Sequence, residues 1–156
     1  MRVTLNGIEA KLAKTVGTQR HSQNRKNGTN LEANSTPEND INGFGAEIAV
    51  ARVLNLYPDM TIGPHKRGYD MIYKDYRIDV KSTRSEPGYL MAKHWRKAGD
   101  CDMYVHVSGR LPRYTINGWV WSNELISTAN LNDMGYGEHY YMEPNQLRVW
   151  KFAKNQ

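Results

Sequence analysis

The chain holds a single cysteine, Cys101, in 156 residues. That scarcity removes disulfide frameworks, CxxC redox chemistry and cysteine-rich zinc sites. No apolar run approaches the roughly 20 residues that cross a bilayer, and the leading MRVTLNGIEAKLAK lacks the apolar core of a signal peptide. The expectation is a cytoplasmic protein with no membrane partner. His65, His94, His106 and His139 show no metal-ligand spacing such as HExxH. Glycine-rich phosphate loops, GxSxG elbows and Cys-His pairs are missing too, which argues against nucleotide hydrolases and triad chemistry.

What remains is enough for one folded unit. Hydrophobic residues make up 39% of the chain and ten tyrosines and four tryptophans are spread through it, so most of it should pack. A chain of this length is expected to form one domain, residues 1–156, because a second would be starved of core. The formal net charge of +5 and pI near 9.3 favour a polyanionic partner over a cationic one.

Residues 8–16 place Ile8, Leu12 and Val16 four apart, which predicts a first helix. From Gly17 to Asp40 polar and charged residues dominate, predicting a helix tail that runs into a flexible loop, with Arg20, Arg25 and Lys26 as a solvated basic helix end. Thr36, Pro37 and Glu38 supply a cap, a favoured first residue and an acidic group for a second helix. That helix is expected to reach about Leu56, with Tyr57-Pro58 ending it. RGYDMIYKDYRIDVKST then reads as a hairpin turning at Lys74-Asp75, followed by strands over Tyr89 to Ala92, DMYVHVSG and YTINGWVW. Asn123 is a candidate cap for a short helix over ELIST, and YYMEPNQLRVWKF closes the chain with strand-like and turn residues. The fold class expected is α/β: a central mixed sheet of about four to five strands flanked by helices, with residues 1–40 as a helix and polar loop and 41–150 as the core.

The chemistry is concentrated in the hairpin. A turn of two or four residues centred on Lys74-Asp75 sets Asp70 opposite Asp79, and alternation puts Asp79 and Lys81 on one face. Ile78 and Val80 point the other way with Met71, Tyr73 and Tyr76, an apolar set that fixes the register by burying itself. Facing carboxylates repel by up to about 1 kcal/mol. A divalent cation would offset that, and carboxylate oxygens are the hard ligands Mg²⁺ prefers. Lys81 would orient a nucleophile or stabilise developing negative charge. Glu47 interrupts the otherwise apolar FGAEIAVARVL and needs a cation, a metal-linked water or a donor.

Glu47 in a helix, then Gly-Tyr-Asp70, then Asp79-Val80-Lys81, in that order, resembles the PD-(D/E)XK nuclease superfamily. GFGAEIAVARVLNL, GYDMIY, RIDVKST, MYVHVSG, NGWVW and PNQLRVW are similar to small phage-encoded nuclease-like proteins of that superfamily, over residues 41 to 150. The resemblance implies a restriction-endonuclease-like core and a metal-dependent endonuclease that hydrolyses phosphodiester bonds by direct water attack. DNA would be the partner, Mg²⁺ the cofactor with Mn²⁺ substituting, and the host cytoplasm the location; cutting both strands of a duplex would favour a homodimer. By resemblance Asp70 and Asp79 are metal ligands, Val80 lends its backbone carbonyl, Glu47 holds the metal through water and Lys81 stands beside the attacking water. The chain departs from the named pattern in carrying Tyr69 where proline is usual and Asp79 where glutamate is commoner.

Lys66, Arg67 and Arg84 flank the hairpin where a phosphate backbone would enter. In the basic stretch that follows, Lys93, Arg96 and Lys97 could track phosphates while Trp95 stacks on a base; the competing reading puts Trp95 in the core. The alternative function is a catalytically inactive nuclease-fold protein that serves a phage as a nucleic-acid- or protein-binding module. The plainest alternative is a solvated acidic sheet face with Glu47 paired to Lys81 or Arg77.

Overall fold

The computed structural model describes residues 1–27, 36–63, 68–86 and 88–150. After the strand β1 (Arg2–Thr4), helix α1 spans Gly7–Lys26. Asn6 caps it: its side chain accepts from the amides of Ile8 and Glu9, while Glu9 accepts from the Asn6 amide at 2.7 Å. Of the expected stripe Val16 is buried and Leu12 packs partly against the core, but Ile8 is 82% exposed, and the buried side is completed by Ala13, Gly17, Arg20 and His21. That side keeps the chain helical well past Val16, because it packs on the next helix. The part of the expected flexible loop at residues 28–35 lies outside the described residues.

Helix α2 (Pro37–Val53) starts where Thr36-Pro37-Glu38 predicts. It stops short of Leu56, and Pro58 is not what stops it. Asn55 takes a left-handed conformation (φ 56°), the Leu56 amide donates to the Ala51 carbonyl at 2.8 Å and the Asn55 amide to Arg52 at 3.2 Å, a Schellman ending. The helices approach closely at Gly17, where a Cβ would lie 2.5 Å from the Ile41 Cα.

The remaining strands are β2 (Met71–Tyr73), β3 (Tyr76–Thr83), β4 (Leu90–Lys93), β5 (Met103–Arg110), β6 (Arg113–Trp121), β7 (Leu131–Asp133) and β8 (Glu138–Met142). The short helix α3 (Ser122–Leu125) begins one residue before Asn123, with Trp121 in the cap position. The central sheet has five strands in the order β1-β6-β5-β3-β2 and is mixed, since β3 and β5 run parallel and the other pairs antiparallel. The expected strand after the hairpin forms, but in a second, three-stranded sheet, β4-β8-β7.

Two apolar clusters result, one on each face of the central sheet. Ile78, Val80, Val105, Val107 and Ile116 meet α1 and α2 through Val16, Phe44, Ile48 and Val50. On the other face Tyr104 and Val120 pack with Leu90 and Ala92 of β4, Met142 of β8 and Leu125. Among the described residues no helix is long and apolar enough to cross a membrane.

Candidate functional site

The hairpin turns on two residues, Lys74 and Asp75, both with positive φ (47° and 68°), the signature of a type I′ turn. Met71 therefore pairs with Ile78, Ile72 with Arg77 and Tyr73 with Tyr76. One step further the expected opposition of Asp70 and Asp79 is modified. The Asp70 amide donates to the Ile78 carbonyl at 2.8 Å, and its carboxylate accepts from the Val80 amide at 2.7 Å. Asp70 thus leaves the ladder and its side chain takes over as the acceptor for β3.

Alternation holds along β3. Ile78 and Val80 enter the helix-side cluster, while Asp79 and Lys81 stand on the other face beside Tyr104 and His106 of β5. Asp79 is 4% exposed. Its Oδ1 lies 2.5 Å from Lys81 Nζ, and its Oδ2 accepts from Arg96, whose guanidinium also donates to the Gly68 carbonyl and, at 3.2 Å, to the Tyr104 hydroxyl. Glu47 is held by Arg20 through both carboxylate oxygens, at 3.0 and 3.3 Å. Arg20 donates further to the carbonyls of Asp59 and Thr61 and lies 4.4 Å over the Phe44 ring. The expectation of a solvated Arg20 is therefore overturned: it is 8% exposed, because a buried carboxylate across the helix interface needs it. Arg77 pairs with Asp102 at 2.8 Å and takes no part in holding Glu47.

The three carboxylates feel one another. Burial, with the charge of Asp70, pushes Glu47 up to about 8 against the pull of Arg20. Burial and Asp79 push Asp70 up to about 6 against Lys81 and the Val80 amide. Burial alone would lower Lys81, but Asp79 and Asp70 more than reverse it, so the amine is held as a cation. Glu47 and Asp70, raised in this way, make with Asp79 a donor set suited to a hard divalent ion. Their present pairing does not present it: among the described residues no group of three or more His, Cys, Asp or Glu side chains stands in metal-holding geometry. Asp79 is turned to Lys81 and Arg96, and Glu47 to Arg20.

Beside Lys81, His106 is fully buried. A bulge between His106 and Val107 sets Asn117 out of the β5–β6 register, and its amide nitrogen lies 3.2 Å from His106 Nδ1 and 3.0 Å from Ser108 Oγ. Donating to both, Asn117 leaves the imidazole proton on Nε2, which has no partner among the described residues. Burial pushes His106 down to about 4 from 6.5. A depressed folded value means that the unfolded chain binds the proton first, so stability is lost as pH falls from about 6.5 to about 4. Wild type should lose up to ~3 kcal/mol more than His106→Gln across that window, read as diverging Tm values. Parallel curves would remove His106 as the cause.

The sequence-predicted cations separate. Arg84 donates to Asn39 Oδ1 at 2.7 Å and lines a cleft of about 350 Å³ with Asn42, Thr83 and Ser85, where β3 ends beside the start of α2. Arg110 and Arg113 continue that basic margin from the β5–β6 turn, and sequence reading missed them because no spacing links them to the hairpin. Lys93 ends β4 with its ammonium 5.6 Å over Trp95; Trp95 is 61% exposed, which excludes its core reading. Lys97 is exposed. Arg96 joins the carboxylate cluster. His65, Lys66 and Arg67 lie outside the described residues.

Structurally this is a mixed α/β protein with a buried acidic cluster at one hairpin. Comparison with known family models, curated proteins and solved structures finds no match.

Proposed function

We propose that the chain is a divalent-metal-dependent nuclease of the PD-(D/E)XK type, hydrolysing phosphodiester bonds in DNA. The reading rests on one observation, the approach of Glu47 on α2 to the hairpin residues Asp70 and Asp79 with Lys81 beside them, where burial and the neighbouring charges raise Glu47 and Asp70 together. Asp70 and Asp79 would hold Mg²⁺ or Mn²⁺, with Glu47 one water removed. The ion supplies charge neutralisation and activation of water. Lys81, a cation fixed by Asp79, cannot serve as a base while protonated and is suited to stabilising negative charge on the phosphate in the transition state. Arg84, Arg110 and Arg113 extend a basic margin from the end of β3, about 13 Å along the strand from Asp79, and would position the phosphate backbone. Trp95 offers an exposed ring for a base.

The test is cleavage of labelled DNA and RNA with Mg²⁺, Mn²⁺ or EDTA, comparing wild type with Asp79→Ala and Lys81→Ala. Metal-dependent cutting by wild type, reduced at least ~100-fold in each variant, is the expected result. The engagement of Asp79 by two cations favours one second reading, a catalytically silent nucleic-acid-binding module. That reading takes over if wild type retards DNA on a gel and no metal elicits cutting.

A further inference from the structure

Both oxygens of Asp79 are already taken by positive charge, and the two partners differ in how they are held. Lys81 reaches Asp79 from two residues along the same strand, and its side chain is 32% exposed. Arg96 comes from the segment between β4 and β5, outside both sheets, and its side chain is 17% exposed. It reaches in to bond Asp79, the Gly68 carbonyl and the Tyr104 hydroxyl, with Asp100 3.6 Å from its Nε.

With its three carboxylates ionised, the cluster balances its own charges. Glu47, Asp70 and Asp79 are matched by Arg20, Lys81 and Arg96. A divalent ion added to that set would leave an excess of two positive charges among buried groups, which low local polarity makes costly. Releasing one guanidinium to solvent halves the excess and frees an oxygen of Asp79 at the same time. Arg20 is buried against Phe44, and Lys81 is the cation that the nuclease reading keeps beside the phosphate, so Arg96, carried by a segment outside both sheets, is the group to release.

We propose that Arg96 is the exchangeable counter-ion of Asp79: it neutralises the carboxylate in the metal-free protein and is displaced when a divalent cation binds. This rests on the nuclease reading and adds to it a residue that sets the metal affinity. Arg96 thereby acts against the ion, not as a ligand to it. Arg96→Gln removes the competitor and keeps a neutral donor, while Arg96→Lys keeps the charge but loses the planar fork that bonds three acceptors together.

Mn²⁺ binding is measured by the loss of the free-ion paramagnetic resonance signal, and Tm is recorded in EDTA and in saturating Mn²⁺. Arg96→Gln should bind Mn²⁺ at least ten-fold more tightly than wild type, with Arg96→Lys between them. Arg96→Gln should also melt lower than wild type in EDTA, and the gap should close in Mn²⁺. Equal or weaker binding by Arg96→Gln, with wild type binding normally, overturns the exchange and leaves the nuclease reading standing. Should the glutamine variant fail to fold, Arg96→Lys binding no tighter than wild type overturns it equally. If no form of the protein binds Mn²⁺, both proposals fall together. Binding by Arg96→Gln with none by wild type is the strongest support for the exchange.

Discussion

At pH 9 an Arg20→Met variant should lose about 3–5 kcal/mol of stability, a fall in Tm of roughly 10 °C, because it strands the carboxylate of Glu47 in the interface between α1 and α2. The loss should shrink at acid pH. Glu47 is raised to about 8, so its contribution to stability is present below about 4.5 and lost as pH rises through 8. Without Arg20 it rises further, and a proton then takes the place of the guanidinium. At pH 6 the deficit should be markedly smaller, and Arg20→Met with Glu47→Gln should recover most of it at pH 9. Denaturant melts at the two pH values decide it. A deficit that is the same at both would assign Arg20's role to its stacking on Phe44 and its bonds to the Asp59 and Thr61 carbonyls.

Asp70→Asn has the opposite sign. The asparagine oxygen can still accept from the Val80 amide, and the charge that repels Asp79 and Glu47 is gone. Asp70 is raised to about 6, so its ionisation opposes folding as pH climbs through that value. In EDTA at pH 8 the variant should be more stable than wild type by on the order of 1–3 kcal/mol, and the difference should vanish below about pH 4. The same variant should lack the rise in Tm that the proposed metal site predicts for wild type in Mg²⁺ or Mn²⁺. A gain in stability bought at the expense of ion binding marks a site kept for activity. An Asp70→Asn protein that melts at or below wild type in EDTA would contradict this account of the cluster.

Much of this arrangement is legible in the residues. Lys74-Asp75 sits midway between two apolar-patterned runs, so a two-residue turn fixes which side chains face each other, and Asp79, Lys81, Ile78 and Val80 take their faces from that alone. The start of α2 is equally local, written in Thr36-Pro37-Glu38. What escapes the sequence is non-local. Arg20 looks like a surface residue because hydropathy counts its charge and not its partner, which lies 27 positions away on another helix. The inner side of α1 is built from Ala13, Gly17 and His21, which carry little apolar signal, while the conspicuous Ile8 faces solvent. Tyr89 to Ala92 reads as a strand, but which sheet it joins depends on β8, a long way further on. The bulge that turns Asn117 toward His106 has one mark in the sequence, Gly118 inside a strand pattern.

The pairing of β4 with β8 also has a temporal side. Leu90 meets Met142 and Lys93 meets His139, so the sheet that roofs the face bearing Asp79, Tyr104 and Lys81 cannot assemble until β8 is available. Helices α1 and α2 and the hairpin, by contrast, are all in hand once residue 83 has been made. A ribosome releasing this chain would therefore present the acidic side of the hairpin before β5 and β8 exist to build the enclosure around Asp79.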